Sequence, residues 1–549
     1  MKIINSKMVQ ITLNRNFYNK KTIQEAIRDF SDVCTAKIIN DNYDVEIEQK
    51  ENIDNLPQEF SNYVLGLMKN EAMDSTETTE EKKKNHVQNH FRVKRFNDSY
   101  LITNDSGDWL FLDTNEYKLF SQDKAQEDPE LLQKLKDNNF LIDENNFEKA
   151  VQKYKCKKSF LDQGPSLHII TLTLRCNIKC VYCHASSKPQ NKYEYDMTKE
   201  NAKKVVDLIM QSPSPSVMIE FQGGEPLLNF DVLKYITKYA TEQNELYKKN
   251  LKFSVVTNLD AMDEEKLDFL AKNKIAICTS LDGPEKLHNK TRQKYDSVVS
   301  WIKRINEEHN KGNIEAKTNA LLTVSRHHLD SPKEIVDEYL RLGLHRIHVR
   351  GINQLGDARD KAKEIYYPIE DFIEFWKKCL DYIIEINKNG KFFKERKTTI
   401  ILKKLLNDED PNYADLRSPC GAVIGQILYN YDGSIYTCDE GRMLGEDDLF
   451  QIGNTSDSYK EITTNKTSCA IIAASTNDVQ YCDKCVYKPF CGICPVLNYA
   501  SAGSLMCNIP NSDWCKLHMA QFDYVLDKLQ NDSDAKKVFL SWINKSKEK

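Results

Sequence analysis

Short apolar runs alternate with longer amphipathic stretches six times between residues 166 and 352. The short runs have the two-residue period of strands, and the longer stretches have the period of helices. The predicted strands are 167–173, 217–221, 252–257, 275–281, 316–324 and 346–351, and the predicted helices between them include 198–210, 263–271, 298–308 and 332–342. Repeated strand–helix units build a parallel sheet, either a partial barrel or an open doubly wound sheet. In both folds the functional side chains lie at the carboxyl ends of the strands.

Other patterns flank this array on both sides. Strands at 8–13, 36–40 and 43–48, with helices at 22–30 and 57–68, predict a small N-terminal α/β module. A charged stretch with Val87 as its one aliphatic residue is typical of a linker. A second small α+β unit follows, with three short strands and a helix opened by Asp128-Pro129. The predicted divisions are 1–73, the linker 74–90, 91–160, the array 161–364, a helical bridge 365–414, a cysteine-rich region 415–520 and a C-terminal helix 521–549.

Composition narrows the class of protein. The 549 residues carry 77 Lys and Arg against 82 Asp and Glu, and the mean hydropathy is -0.61. No apolar run approaches the ~18–20 residues that span a bilayer, and the N-terminus has no apolar signal core. The balanced charge does not indicate a nucleic-acid surface. We therefore expect a cytoplasmic protein with neither a membrane nor a nucleic acid as its partner.

The chain has 16 cysteines, and most of them fall into two clusters. In a reducing compartment such clusters indicate metal sites rather than disulfides. Cys176, Cys180 and Cys183 follow the first predicted strand with the spacing C-x3-C-x2-C. Three thiolates on one loop suit three irons of a [4Fe–4S] cube and leave the fourth iron open. The alternative is a structural zinc site completed by His184.

This loop, with Tyr182 before its third cysteine, resembles that of the radical S-adenosylmethionine (AdoMet) enzymes. The resemblance continues along the array. Gly223-Gly224-Glu225-Pro226 follows the second predicted strand, Thr257-Asn258 the third, and Ser280-Leu-Asp282-Gly283, then Arg292, the fourth, while residues 351–356 match an adenine-side loop loosely. The family implies a partial (β/α)6 barrel of the TIM type, a [4Fe–4S] cluster on Cys176, Cys180 and Cys183, and bound AdoMet. The AdoMet-binding residues implied are Tyr182, Gly223, Gly224, Glu225, Thr257, Asn258, Ser280 and Arg292.

Two of these assignments have a clear chemical basis. The glycines let backbone approach the ligand, and Glu225 offers an acceptor for the methionine ammonium of AdoMet. Arg292 suits the AdoMet carboxylate because its guanidinium binds a carboxylate through two parallel hydrogen bonds.

The C-terminal cysteines resemble the auxiliary-cluster domain called SPASM. The order is Cys420-x17-Cys438, Cys482-x2-Cys485-x5-Cys491-x2-Cys494, then Cys507 and Cys515, and the x2 between Cys491 and Cys494 departs from the x3 of the family. The resemblance implies two auxiliary [4Fe–4S] clusters. One would use Cys420, Cys438 and Cys494, and the other Cys482, Cys485, Cys491 and a late cysteine, Cys515 being favoured. Cys507 could instead complete the first of these clusters, Cys469 is a weaker candidate, and zinc stays an alternative for the C-x2-C pairs.

The N-terminal units point to one kind of substrate. Residues 91–150 resemble the N-terminal region of maturase B of the His-Xaa-Ser peptide system, and residues 1–72 resemble the small D protein of that system. The resemblance implies a radical AdoMet maturase whose 5′-deoxyadenosyl radical abstracts hydrogen from a ribosomally made precursor peptide, with a leader and a core. A crosslink or another modification would result, and flavodoxin or ferredoxin would supply electrons. Asp439, after Cys438, matches the proton acceptor of sulfatase-maturing relatives.

Three other interpretations stay open at this point. One is an anaerobic sulfatase maturase that makes formylglycine, against which the long N-terminal extension argues. Another is a non-catalytic iron–sulfur or zinc protein that binds peptide. The N-terminal units could also serve only to buttress the barrel.

Overall fold

The computed structural model describes residues 2–5, 8–13, 20–40, 43–50, 56–57, 59–64, 67, 86–407, 410–445, 449–507 and 509–544. The chain divides into two compact units, Met1–Asn85 and His86–Lys549. Within the described part of the chain, no helix combines the length and the apolar composition that a bilayer crossing needs.

The first unit is a four-stranded antiparallel sheet with a helix, Lys20–Asp29. Its strands, in spatial order, are Lys2–Asn5, Met8–Thr12, Asp44–Gln49 and Cys34–Ile38. Ile23, Val45 and Ile47 are fully buried in its core. The helix predicted over 57–68 lies partly outside the described residues. Within this range, residues 59–64 are described and are helical.

The second unit begins with a three-stranded antiparallel sheet. Its strands are Phe91–Phe96, Ser99–Asn104 and Trp109–Leu112, and the helices Thr114–Ser121, Pro129–Asp137 and Phe147–Lys158 follow. Asp128 accepts hydrogen bonds from the backbone N–H groups of Glu130 and Leu131, so the predicted helix start is confirmed. Residues 74–85 of the predicted linker lie outside the described residues. The end of the predicted linker is not all linker, because Val87–Gln88 forms a strand that pairs with Leu141–Ile142.

A nine-stranded sheet forms the centre of the second unit. In chain order its strands are β1 (Leu167–Thr173), β2 (Ser216–Gly223), β3 (Asn250–Thr257), β4 (Ala276–Ser280), β5 (Asn319–Val324), β6 (Val349–Gly351), β7 (Gln426–Tyr429), β8 (Ser434–Tyr436) and β9 (Gln451–Asn454). The spatial order is β6-β5-β4-β3-β2-β1-β7-β8-β9. Five of the six predicted strands are confirmed, and the sixth, predicted over 346–351, is two short strands: Arg346–Ile347, which pairs with Lys394–Glu395, and β6, which pairs with β5. The order of β1 to β6 runs in one direction, as in a barrel, whereas a doubly wound sheet reverses its order at a switch point.

The edge of β1 is covered by the cysteine-rich region. β7 pairs with β1 in parallel, with His168 opposite Ile427, and β8 and β9 continue the sheet antiparallel. This pairing joins residues about 260 positions apart, which no local pattern predicts. The second cysteine cluster is thereby fixed to the same sheet as the first.

Helices cover the outer face of the sheet. In β2 the side chains of Val217, Ile219 and Phe221 are buried beneath them, while Glu220 points to the barrel interior. The longer helices are Lys199–Met210, Phe230–Tyr247, Glu264–Lys272, Tyr295–Asn310, Pro332–Arg341, Ile369–Lys388, Arg396–Leu406, Asp513–Asn531 and Ser533–Ile543. The shorter ones are Glu285–Thr291, Asp357–Asp360, Ala362–Ile365, Asp439–Met443, Tyr459–Thr464, Lys466–Ala474, Gln480–Asp483 and Pro495–Ala502. The single closing helix of the sequence analysis is two helices, because Asp532 ends the first and caps the second at Ala535 N.

Candidate active site

The first cysteine loop leaves the carboxyl end of β1. Cys176 ends a short strand, Arg175–Cys176, and Cys180 and Cys183 follow on the loop, all three half-buried. Burial raises the pKa of the Cys176 thiol to about 12, and the nearby thiols of Cys180 and Cys183 raise it as well. Such thiols become thiolates when a cation binds and displaces their protons.

The spacing of the sulfur atoms favours a cluster over a single ion. Tetrahedral zinc with bonds of about 2.3 Å needs sulfurs about 3.8 Å apart. Among the described residues, only Cys438, Asp439 and Glu440 gather three ligand atoms within 4.8 Å of one another. The sulfurs of the first loop are therefore more widely spread, as an iron–sulfur cube requires. His184 donates from Nε2 to the carbonyl of Asn353 (3.0 Å), so that nitrogen is committed to backbone.

The two glycines after β2 let the turn lie against the backbone that leads to Cys176. Gly224 N donates to Thr173 O and Glu225 N donates to Arg175 O, both at 2.8 Å. A Cβ at Gly223, which has φ of +151°, would lie 2.1 Å from Thr173 O, and one at Gly224 would lie 2.4 Å from Arg175 O. Only glycine fits these positions without moving the cysteine loop.

Glu225 ties the ends of β2 and β3 together. Its carboxylate is fully buried and accepts hydrogen bonds from Thr257 Oγ1 (2.7 Å), Asn258 N (2.8 Å) and Leu227 N (3.0 Å). Burial raises the pKa of Glu225 to about 7, although the two backbone donors lower it. The structure therefore shows Glu225 bonded to its own chain, and its contact with an AdoMet ammonium stays a prediction.

Asn258 links this tie to the cysteine loop. Its Nδ2 lies 3.7 Å from Cys176 Sγ and donates to Asn177 Oδ1 at 2.9 Å. Asn177 in turn donates to Asp260 Oδ2 at 2.8 Å. The side chains that follow β3 thus hold the start of the loop in place.

Arg292 lies between Cys180 and a buried acid. Its guanidinium faces Cys180 Sγ at 3.9 Å, stacks 5.1 Å from the ring centre of Tyr182 and contacts Asp282 Oδ2 at 3.1 Å. Tyr182 and Asp282 are also hydrogen-bonded. The sequence analysis gave Arg292 a carboxylate of AdoMet as its partner and gave Asp282 no role. Asp282 stands ten residues before Arg292 and two residues after Ser280, which is the last residue of β4.

The C-terminal side of the barrel closes over the same loop. Asp357 N donates to Cys183 O and Gly356 N donates to Met443 O, both at 2.9 Å. Gly356 has φ of +55°, and a Cβ there would lie 2.3 Å from the carbonyl oxygen of His184. The loop 351–356 is therefore packed against the cysteine loop, and its role as an adenine-side element stays a prediction.

The second set of cysteines forms two groups. Burial raises the pKa of the Cys438 and Cys494 thiols, and Glu440 and Cys420 raise both further. Burial and neighbouring thiols likewise raise the pKa of Cys482 and Cys491, and here the neighbours are Cys485 and Cys515. The first group is thus Cys420, Cys438 and Cys494, and the second is Cys482, Cys485, Cys491 and Cys515.

Two further cysteines stand apart from these groups. Cys507 contacts Asn498 Oδ1 at 3.2 Å, and burial, without any neighbouring thiol, raises its pKa. Cys469 is exposed on the helix Lys466–Ala474. The structure therefore brings Cys515, and not Cys507 or Cys469, to the second group.

Asp439 directly follows Cys438, and the ligand atoms of these two residues lie within 4.8 Å of each other. Burial lowers the pKa of His184 to about 4 and also lowers the pKa of Arg442, and the negative charge of Asp439 opposes both shifts. Both nitrogens at the end of Arg442 face Ala185 O at 3.4 and 3.5 Å. Asp439 is thus close to Cys438, and its charge acts on His184 in the first cysteine loop.

Comparison with known proteins agrees with this geometry. Residues 170–337 match the Radical SAM superfamily. The chain is 25% identical over 393 residues to a cysteine-type anaerobic sulfatase-maturating enzyme of Clostridium perfringens. The alignment covers 67% of this chain and 97% of that protein. A radical SAM cyclopropyl synthase of Paramaledivibacter caminithermalis is 26% identical over 209 residues, and the alignment covers 35% of this chain and 44% of that protein. The solved structure "Native anSMEcpe with bound AdoMet" aligns with a TM-score of 0.56 and 21% identity over 68% of this chain and 100% of that one, which shows the fold.

Proposed function

We propose that this radical SAM superfamily enzyme modifies a ribosomally made precursor peptide. Residues 170–337 match the superfamily, and the relatives include sulfatase maturases and another radical SAM synthase. The superfamily implies AdoMet and one [4Fe–4S] cluster. Cys176, Cys180 and Cys183 fit that cluster, since they are free thiols on one loop whose sulfurs are too widely spread for a single ion. When bound, the cluster and AdoMet supply a 5′-deoxyadenosyl radical that removes hydrogen from an unreactive C–H bond.

The residues of the chain orient and enclose this chemistry. The glycine turn and the Glu225 tie hold Cys176, and Arg292 faces Cys180 with its charge balanced by Asp282. The loop 351–356 covers Cys183 and His184 from the other side. AdoMet would lie among Tyr182, Gly223, Gly224, Glu225, Thr257, Asn258, Ser280 and Arg292, and this enclosure keeps water from the radical.

Two auxiliary [4Fe–4S] clusters complete the proposal. Cys420, Cys438 and Cys494 would hold one, and Cys482, Cys485, Cys491 and Cys515 the other. The auxiliary clusters would accept the electron left after hydrogen abstraction, and Asp439 would take a proton from the substrate. The proximity of Asp439 to Cys438, with ligand atoms within 4.8 Å, supports this proposal, because a modification that oxidises a side chain needs a base near the abstracted hydrogen.

The substrate would be a peptide with a leader and a core. In the N-terminal unit Cys34–Ile38 is an edge strand of the sheet, and an edge strand offers unpaired backbone groups to an added strand. We place the leader there or on the second N-terminal sheet. The enzyme would work in the cytoplasm, with flavodoxin or ferredoxin as its reductant.

Coexpression with short reading frames that neighbour the gene tests the proposal. Mass spectrometry should find one of the encoded peptides altered, and the Cys176→Ala variant should form neither the product nor 5′-deoxyadenosine. Cys156→Ala is the matched control, because Cys156 is exposed on the helix Phe147–Lys158. A Cys176→Ala variant that still forms 5′-deoxyadenosine would contradict the proposal.

A second candidate function rests on the sulfatase-maturase relative. The match to the Clostridium perfringens enzyme covers 97% of that protein, so nearly all of its length has a counterpart in this chain. The candidate activity is conversion of a cysteine in a sulfatase-type peptide to formylglycine. Incubation of the reduced enzyme with such a peptide decides between the two, since formylglycine changes the peptide mass and reacts with hydrazides.

A further inference from the structure

A cavity of about 470 Å³ adjoins the proposed active site. Its lining includes β6, the loop 351–354 and one face of the helix Asp513–Asn531. Asn353 in this lining accepts a hydrogen bond from His184 Nε2 at 3.0 Å, so the cavity lies next to the first cysteine loop. The residues assigned to AdoMet, all of them described, do not line it. The volume is in the usual range for ligand pockets, and the cavity is thus a candidate site for a second ligand.

Arg350 enters this cavity from the last strand of the barrel. In β6 the side chain of Val349 is buried in the core, so the side chain of Arg350, the next residue, points the opposite way, to the barrel interior. Arg350 is nevertheless exposed, and it lines the cavity. Its guanidinium therefore reaches open space inside the barrel.

Lys397 adds a second cation to the lining. It lies in the first turn of the helix Arg396–Leu406 and is only 8% exposed. Burial lowers the pKa of Lys397, and the positive charge of Arg350 lowers it as well. The two cations are therefore close enough to repel each other, and an anion between them would relieve that repulsion.

Neither cation has a carboxylate partner within its own chain. In the part of the chain that the structure describes, no carboxylate oxygen lies within 4.0 Å of a side-chain nitrogen of Arg350 or Lys397. Lys404 on the same helix shows the usual arrangement, since it is 4% exposed and its Nζ lies 2.7 Å from Asp410 Oδ2. Buried lysines are almost always paired in this way, because an unpaired charge in the protein interior is costly. Lys397 thus lacks the anion that Lys404 has.

Two acids share the lining of the cavity but do not fill this role. Glu440 is held near Cys438, with ligand atoms of the two residues within 4.8 Å of each other. Asp415 raises the pKa of both Arg350 and Lys397, yet it lies beyond ion-pair distance of either. At that range an acid reduces the cost of burying the cations and leaves their hydrogen-bond donors open to a ligand.

We propose that Arg350 and Lys397 bind a carboxylate of the substrate peptide, either an acidic side chain or the C-terminus of the peptide. The inference rests on the proposed function, which makes the ligand a peptide. The planar guanidinium of Arg350 donates two parallel hydrogen bonds to a carboxylate, and the ammonium of Lys397 supplies a further donor. A carboxylate held in this cavity fixes the neighbouring residues of the peptide beside the first cysteine loop, where hydrogen abstraction is proposed.

Ligand-observed NMR titration of short peptides with the anaerobically reconstituted full-length chain tests the inference. The probes are acetyl-Ala-Glu-Ala-amide, its neutral isostere acetyl-Ala-Gln-Ala-amide, and acetyl-Ala-Ala-Ala with a free carboxyl terminus. At least one of the two acids should bind about tenfold more tightly than the Gln peptide, because hydrogen bonds to a charged group are the stronger ones. The acid that is preferred identifies the source of the carboxylate.

Arg350→Gln and Lys397→Met should each abolish this preference. Arg396→Gln is the matched control, since Arg396 precedes Lys397, is exposed and does not line the cavity, and it should keep the preference. Lys397→Met should unfold at the same temperature as the unaltered chain or at a higher one, because it replaces an unpaired buried charge by an apolar side chain. A marked fall in its unfolding temperature would show that Lys397 has a structural partner and would overturn its role in the site.

The remaining outcomes are also decisive. Equal binding of acid and amide peptides by the unaltered chain, or no binding of any probe, overturns the inference and assigns the two cations to the charge of the clusters. A preference that persists in one variant removes that residue from the site. None of these results depends on AdoMet cleavage, so they leave the proposed function standing. A chain that prefers the acids but forms no 5′-deoxyadenosine would instead keep the carboxylate site and contradict the proposed function.

Discussion

Arg292 and Asp282 form an ion pair at the end of β4, with Arg292 Nε 3.1 Å from Asp282 Oδ2. Asp282 is fully buried and also accepts a hydrogen bond from Thr291 Oγ1 at 2.8 Å. Burial raises the pKa of Asp282, but Arg292, His328, His288 and the hydrogen bond from Tyr182 together outweigh it and hold that pKa below its usual value. The pair therefore keeps a cation beside Cys180 without leaving an unpaired charge in the barrel.

Asp282→Asn should destabilise the protein strongly. Removing one partner of a buried ion pair costs about 3–5 kcal/mol, because the other charge stays buried and unpaired. Urea unfolding followed by circular dichroism measures the free energy of unfolding. Asp231→Asn is the control, since Asp231 is 81% exposed and its pair with Lys234 contributes less than about 1 kcal/mol. Equal losses in the two variants would contradict a stabilising role for the pair.

Gly224→Ala should disturb the cysteine loop. The added Cβ would lie 2.4 Å from Arg175 O and 2.5 Å from Leu174 O, so the backbone before Cys176 must move. We expect a stability loss of about 1–3 kcal/mol and a fall in 5′-deoxyadenosine formation of more than about tenfold. Gly312→Ala is the control for the steric effect, since Gly312 has a φ of +83°, where alanine is strained, but has no atom within 4 Å of its Cβ position. It should lose about 1 kcal/mol and keep its activity, and equal activity in both variants would refute the steric argument.

Local sequence patterns predicted those features of the structure that depend on residues close together in the chain. The alternation in β1 to β6 and the spacing of Cys176, Cys180 and Cys183 were enough to predict the strands and the first cysteine loop. The partner of Arg292 was missed, because Asp282 meets it only when β4 and the following helix fold back on each other. The pairing of β7 with β1 was also missed, since it depends on packing between distant segments. For the same reason spacing left Cys507 and Cys515 undecided.

The free energy of unfolding should fall as the pH rises from about 4.5 to about 7, and the titration of Glu225 should cause part of this fall. Burial raises the pKa of this carboxyl to about 7, so in that window the folded chain keeps a proton that the unfolded chain has released. The contribution is fully present below the unfolded pKa and is lost as the pH rises through 7, by up to about 3 kcal/mol. Glu225→Gln should have a flatter profile of unfolding free energy between pH 5 and pH 7.5. Glu265→Gln, at an 81% exposed side chain, should keep the original slope, and parallel profiles for Glu225→Gln would disprove the assignment.

Asp439→Asn should separate radical formation from product formation. If Asp439 takes a proton from the peptide, its amide leaves AdoMet cleavage intact and blocks the later step, and loss of a general base costs about 10²–10⁴ in rate. The ratio of modified peptide to 5′-deoxyadenosine, measured by mass spectrometry and chromatography, should fall by about that factor. Iron content should not change, because cysteines are the ligands of all three proposed clusters. A parallel loss of 5′-deoxyadenosine would instead show that Asp439 supports the first cluster or AdoMet, and an unchanged ratio would remove it from the list of candidate bases.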